Sequence, residues 1–358
     1  MDATFTHRGF LPAADPATRF PHGSEFAMLD ELGHNLPSML QDTSFRAYAR
    51  SLQLPLWTDE SINEHNLPLL RLYYIRLGFL ASAYINQVPL APESVLPKNI
   101  ALPLCHACKL LNRPPILSYD GYALYNWKRF RPDGPIALGN IDTLQDFVHM
   151  YDEHWFILVH VEIEAIAAEI LGAMESVHKA ASGVNGALKQ IGVAVWRQVE
   201  VLKRIPEKMD PALYFRTFRP YIRFFENVVY EGVDNAPMSY RGETGAQSSI
   251  LPALVSFLKI PHQSSVLTDH LMDMRRFMPA DHREVLAEIE AMPPVKPHAE
   301  KEVFNEVLEA VAAFREVHYG WAETYIHRHV ADPRGTGGTP YRQWLKQLVD
   351  ETRAHKIA

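Results

Sequence analysis

Apolar residues recur three and four positions apart along most of the chain, and prolines fall mainly between these periodic stretches. That period predicts helices over roughly 24–33, 43–53, 66–87, 99–111, 119–128, 144–181, 186–204, 211–228, 247–259, 264–277, 281–291, 299–330 and 340–356. Alternating patterns that would signal strands are scarce, so the expected fold class is all-α. The stretch "RPDGPIALGN", 131–140, reads as a linker. It divides a smaller capping domain, 1–138, from a larger helical domain, 139–358. The most apolar run, "LPLLRLYYIRLGFLASAYI", carries Arg71 and Arg76 and reads as a buried helix, not a membrane span.

Two helical patterns carry polar residues where apolar ones are expected. Phe304, Val307, Val311, Phe314, His318, Trp321 and Tyr325 form a stripe at alternating spacings of 3 and 4. An imidazole on such a face must satisfy two nitrogens. His318 is either a core histidine bonded to a backbone carbonyl or a metal or haem ligand inside a bundle. In "DPALYFRTFRPYIRFFENVVY", Asp210 caps a helix, Pro211 opens it and Pro220 should kink it. Arg219 lies there among Tyr214, Phe215, Phe218 and Tyr221. It either stacks on those rings or holds a carboxylate in an apolar pocket.

Net charge is −7 with no basic block, which argues against nucleic-acid or anionic-membrane partners. The start "MDATFTHRGF" has no apolar run, so no signal peptide is expected and a cytoplasmic location is. The two cysteines, Cys105 and Cys108, lack a second pair and read as buried thiols in a reducing compartment. His154 and His160 flank "WFILV" without the spacing of a two-histidine metal site. "DPRGTGGTPY", 332–341, lacks the preceding strand and the Lys-Ser/Thr of a phosphate loop, though its glycines allow close backbone approach to a ligand.

"RPPILSYDGYALYNWKRF", "FILVHVEIEA", "VVYEGV", "GAQSSI", "DMRRFMPADHR", "FREVHYGW" and "GTGGT" occur in the order found in the indoleamine 2,3-dioxygenase family, which this chain resembles from about residue 100 to 340. The resemblance implies a large helical domain that holds haem b, ferrous in its active state, capped by a smaller N-terminal domain. It implies cleavage of the indole C2–C3 bond of tryptophan or a related indoleamine by O2, without a protein acid or base. Partners would be O2, an indole amino acid and an electron donor, on a monomer or simple homo-oligomer. A non-catalytic haem protein and an enzyme for another indole are the alternatives.

By the same resemblance His318 is the proximal iron ligand, and Arg315 faces a haem propionate. Arg219 binds the substrate carboxylate, with Phe215 and Tyr214 beside the indole. Tyr119, Tyr122 and Ala123 line the ring pocket, and His154 and Leu158 take two distal positions. Thr244 and Gly245 lie over the haem, and Thr336 belongs to a loop that closes on substrate. Three residues depart from the family pattern. Val255 replaces an aspartate that pairs with the propionate arginine, Glu243 replaces a glycine, and Tyr122 is bulkier than the small residue of vertebrate members.

Overall fold

A computed structural model describes residues 3–179, 183–329 and 341–358. Helices dominate, as the 3.6-residue period predicts. They are α1 (Ala3–Arg8), α2 (Ala27–Met39), α3 (Phe45–Ser51), α4 (Leu67–Ile85), α5 (Lys98–Leu110) and α6 (Tyr151–Lys179). After these come α7 (Val184–Leu202), α8 (Pro211–Arg216), α9 (Ile250–Leu258), α10 (Val266–Arg275), α11 (Ala280–Ala291), α12 (Lys301–Tyr325) and α13 (Tyr341–Ala354). Among the described residues no helix is long and apolar enough to cross a membrane.

α4 is apolar on every side and correspondingly buried over nearly its whole length. Its Arg76 survives burial because Asp30 (3.0 Å) and Gln145 (2.7 Å) take its guanidinium protons. α4 belongs to a first core built largely from the N-terminal half of the chain. A second core joins α6, α7, α9, α11 and α12, and it also takes in Phe5 and Phe10. α1 packs directly on α6. Gly9 permits this: at φ +63° it is left-handed, and a Cβ there would collide with the Glu164 carbonyl.

Three expected helices come out differently. The 211–228 stretch stops being α-helical at Arg216 and ends in strand β4 (Phe225–Tyr230). Pro220 cannot donate a helical hydrogen bond, and Val228 and Val229 favour extended backbone. β4 pairs in parallel with β1 (Val95–Leu96) and antiparallel with β5 (Met238–Tyr240). The 119–128 stretch is one π-helical turn, Asp120–Leu124, followed by β2 (Trp127–Arg129). β2 pairs antiparallel with β3 (Ile141–Thr143), with Trp127 opposite Thr143. The expected linker 131–140 is therefore a hairpin loop, tied by Asn140 Nδ2 to the carbonyls of Arg131 (3.0 Å) and Pro135 (2.8 Å). The 144–181 helix starts only at Tyr151. Before it, the N–H groups of Phe147 and Val148 donate to the buried Glu153 carboxyl.

His154, on the first turn of α6, is clamped by acids. Its Nδ1 lies 3.1 Å from Asp142 and its Nε2 3.1 Å from Asp146. Burial opposes its charge, but the two carboxylates win and push it up to about 10. A raised folded-state value stabilises the fold fully below the unfolded histidine value and loses that contribution as pH climbs through the folded one. The melting-temperature gap between wild type and His154→Gln should be full near pH 6 and close as pH approaches about 10. A gap that does not change with pH would mean the clamp carries no net charge interaction.

Cys105 and Cys108 are free thiols on α5. Burial pushes each up to about 12, so neither is a ready nucleophile.

Candidate functional site

Between α6, α9, α10, α12 and α13 lies a cavity of about 450 Å³. That volume is typical of small-molecule and cofactor sites, which run from roughly 300 to 1,000 Å³. Its walls are mostly apolar, from Phe156, Ile163, Leu202, Tyr214, Leu251, Val255, Phe314 and Trp321 among others. The exceptions matter chemically and include His160, Glu243, Thr244, His262, His270, Arg275, Arg315 and His318.

His318 comes from the α12 stripe, on the face that carries Phe314 and Trp321. Its ring lies deep in the protein yet counts as solvent-accessible, because it borders the cavity instead of packing against a neighbour. Burial first, and the facing His160 second, push it down to about 4. The imidazole is therefore neutral near pH 7, with a lone pair to offer. Gly245 sits close by: a Cβ on it would stand 4.0 Å from His318 Nε2. A larger side chain there would occupy the space next to the imidazole nitrogen.

Across the cavity stands His160, on α6. Its Nδ1 lies 2.7 Å from the Phe156 carbonyl. Nδ1 must carry the proton to donate there, which leaves Nε2 as an acceptor. Burial lowers its pKa as well, so it too is neutral. One turn further along, Glu164 accepts from Tyr119 Oη (2.8 Å) and Ser248 Oγ (2.6 Å). Burial raises Glu164 to about 7. Phe156, His160 and Glu164 thus form an i, i+4, i+8 column on one face of α6.

The α13 end of the cavity is cationic. Arg315 is almost fully buried, at 4% exposure. Its Nη1 donates to Leu348 O (2.7 Å) and to Thr352 Oγ1. Its buried Nε has no acceptor among the described residues. Burial lowers its pKa to about 10, with Glu351 working the other way. Glu351 itself bonds His262 Nδ1 at 2.5 Å. Val255 lines the same cavity. An anion bound in the cavity would satisfy this guanidinium.

Of the residues singled out in the sequence, Tyr119, Tyr214, Thr244, Gly245, Arg315 and His318 border the cavity. Tyr122, Ala123, Leu158, Phe215 and Arg219 are not among its walls. Tyr122 is fully buried, stacked with Phe79 and Phe147, and its hydroxyl donates to Glu153 (3.0 Å). Leu158 packs in the first core. Two residues along the helix from His160 or Phe156, it turns about 200° away from them. Neither of the residues expected at the distal positions, His154 and Leu158, lines the cavity, whereas Phe156 and His160 do. Arg219 is 6% exposed, with its guanidinium 5.1 Å from the Phe215 ring, and Phe215 stacks on His329. Thr336 and the rest of "GTGGT" lie outside the described residues.

A neutral histidine facing a buried apolar cavity inside a helical fold, beside a buried arginine whose Nε has no acceptor among the described residues, is the arrangement of a helical cofactor-binding protein. The comparisons with known proteins are more specific. The indoleamine 2,3-dioxygenase family profile matches residues 4–355. Indoleamine 2,3-dioxygenase 1 of Rattus norvegicus is 30% identical, over 90% of this chain and 87% of the rat protein. Indoleamine 2,3-dioxygenase of Saccharomyces cerevisiae is 28% identical, over 97% of this chain and 91% of its own. A 6-hydroxytryptophan 2,3-dioxygenase of Fusarium equiseti is 26% identical, over 96% and 94%. The chain belongs to the indoleamine 2,3-dioxygenase family, whose members are haem-dependent oxidoreductases.

Proposed function

We propose that this protein binds haem b in the described cavity and uses O2 to cleave the C2–C3 bond of an indole amino acid, yielding N-formylkynurenine from tryptophan. The observation that carries this reading is the pairing of His318 with Arg315. One offers a free neutral imidazole nitrogen, and the other is a buried guanidinium three residues away with no carboxylate to meet it. The space beside Gly245 and the apolar walls fit a flat, anionic-edged cofactor. His318 would ligate the iron, Arg315 would take a propionate, and Thr244 and Gly245 would cover the ring. When bound, the haem supplies a ferrous iron at which O2 is activated.

The protein's own groups bind, orient and exclude water. Phe156, Tyr214 and Tyr119 form an aromatic wall against which an indole can stack. His160 Nε2, an acceptor on the cavity wall, would take the indole N–H and fix the ring's orientation. Arg219 is the residue expected to hold the substrate carboxylate, as its planar fork suits. The family resemblance assigns Thr336 and its glycine-rich loop a role in enclosing the substrate, which would remove water from around the reacting atoms; these residues lie outside the described ones. Holding O2 and the ring in one geometry replaces a bimolecular encounter by an intramolecular one. The electron donor that keeps the iron ferrous is a separate partner, and the reading places the protein in the cytoplasm.

Two measurements test this. The purified protein should take up hemin and, once reduced, convert tryptophan and O2 to N-formylkynurenine. A colourless protein that refuses hemin would end the proposal. Arg219→Ala should weaken tryptophan binding by roughly 2–5 kcal/mol, seen as a raised KM, and affect plain indole far less. Equal losses on both would remove Arg219 from carboxylate binding.

A second reading is favoured by Glu243, an acid on the cavity wall. The substrate is then a tryptophan derivative, such as the one in the name of the Fusarium equiseti relative.

A further inference from the structure

Glu164 stands on α6 one turn beyond His160 and is fully buried, yet it is not among the walls of the cavity. A carboxyl placed inside a core costs stability unless donors meet it. Here one oxygen is met twice. Glu164 Oε1 accepts from Tyr119 Oη (2.8 Å) and from Ser248 Oγ (2.6 Å), while Oε2 has no partner among the described residues. The backbone behind the carboxyl is held as well, because the turn after α1 packs at Gly9 against the Glu164 carbonyl. A rigid helix therefore presents this carboxyl to two segments from distant parts of the chain.

The first segment is the aromatic wall. Tyr119 leads into the π-helical turn Asp120–Leu124, a geometry that recurs at functional sites. Its ring meets the His160 ring edge-on, with 5.9 Å between centroids. Its N–H donates to Gln247 Oε1 (2.9 Å), so the residue is gripped at both ends. The second segment is the loop that carries Thr244 and Gly245. Ser248 N–H donates to Gly245 O (3.1 Å), and Gln247 N–H to Thr244 O (2.9 Å). Gln247 Nε2 donates to Gly242 O (2.9 Å), and Ser248 Oγ accepts from the N–H of Ile250 (3.4 Å), the first residue of α9. Gly245 is the residue whose added Cβ would stand 4.0 Å from His318 Nε2. One carboxyl oxygen thus holds both the wall beside His160 and the loop beside His318.

We infer that Glu164 is a positioning residue for the reaction. It ties the Tyr119 wall and the Thr244–Gly245 loop together at one spacing, and so fixes the space in which the indole ring and the haem meet. The inference rests on the dioxygenase reading above. Oε1 accepts both hydroxyl protons whether or not Oε2 carries a proton, so the tie needs an acceptor oxygen and not a charge. Small misplacements of reacting groups cost rate steeply, so losing the tie shows in turnover more than in substrate binding.

The test compares haem-loaded wild type with Glu164→Gln, Glu164→Met, Tyr119→Phe and Ser248→Ala, and with Glu164→Met combined with each of the last two. Two readouts are taken: kcat and KM for tryptophan, and the C–O stretching band of the ferrous carbon monoxide complex with tryptophan bound. Wild type should give one narrow band. Glu164→Met should lower kcat by roughly 10- to 100-fold with KM within about 3-fold, and should split or broaden the band. Glu164→Gln keeps an acceptor oxygen, so both constants should stay within about 3-fold of wild type and the band should stay narrow. Adding Tyr119→Phe or Ser248→Ala to Glu164→Met should cost less than about 2-fold more, because the bond is already gone. Full additivity, a narrow band in Glu164→Met, or equal losses in the Gln and Met variants would overturn the assignment. Should Glu164→Met not fold, the double variant Tyr119→Phe, Ser248→Ala removes both donors instead. It must show the same fall in kcat and the same broadened band, and wild-type behaviour there overturns the inference. A wild type that refuses hemin, or turns over neither tryptophan nor 6-hydroxytryptophan, ends the dioxygenase reading and this inference with it. An active wild type matched by Glu164→Met ends the inference alone.

Discussion

His318→Ala should purify without haem, or hold it without turnover, while its apoprotein melts within about 1 kcal/mol of wild type. The two halves of this result belong together. A core histidine bonded to a backbone carbonyl would cost about 1–3 kcal/mol on removal, because its partner would be left buried and unmet. The His318 ring instead faces an open cavity, and burial holds it neutral at about 4. Little in the apoprotein depends on it. Soret absorbance after hemin titration reports the first half, and chemical denaturation of the apoprotein the second. A variant that keeps haem and turnover would remove His318 as ligand. One that binds no haem because it no longer folds would restore the core-histidine reading.

Arg315→Met should act in opposite directions on the two forms of the protein. In the apoprotein the guanidinium is buried without a carboxylate, and exchanging such a charge for an apolar side chain is often neutral or stabilising. The apoprotein variant should therefore melt no lower than wild type. If Arg315 holds a haem propionate as proposed, the same change in the haem-loaded protein would remove a charge-assisted hydrogen bond worth about 1.5–3 kcal/mol. Haem transfer to apomyoglobin should then be roughly 10- to 100-fold faster. Arg315→Lys should recover only part of the loss, since an ammonium lacks the planar fork. Unchanged haem loss in Arg315→Met would reduce Arg315 to a brace between α12 and α13. His262 and Glu351 bear on this as well. The carboxylate that acts on Arg315 is Glu351 on α13, already paired with His262.

Much of the site was legible in the chain because helices print their faces in sequence. The α12 stripe places His318 among apolar neighbours, and the cavity lies on that same face. A comparable signal on α6 was there to be read. Phe156, His160 and Glu164 recur every four residues inside an apolar run, which puts two ionisable groups on one buried face. His154 and Leu158 lie two residues off that column, and two residues turn a helix by more than half a circle, so neither borders the cavity. His154 instead meets Asp142 and Asp146 near the helix start.

The sequence by itself determined the helical fold class, the buried α4, the stripe that presents His318 and the absence of a carboxylate at Val255. Each follows from local period or residue type, which the chain carries wherever it folds. Only the tertiary structure decided that residues 225–230 form a strand, because that strand needs Val95 and Leu96 from far earlier in the chain. Only packing turned Tyr122 toward Glu153 and away from the cavity, and left Glu243 facing it without a donor. Whether a buried polar group is satisfied depends on partners many residues distant, and spacing along the chain does not encode them.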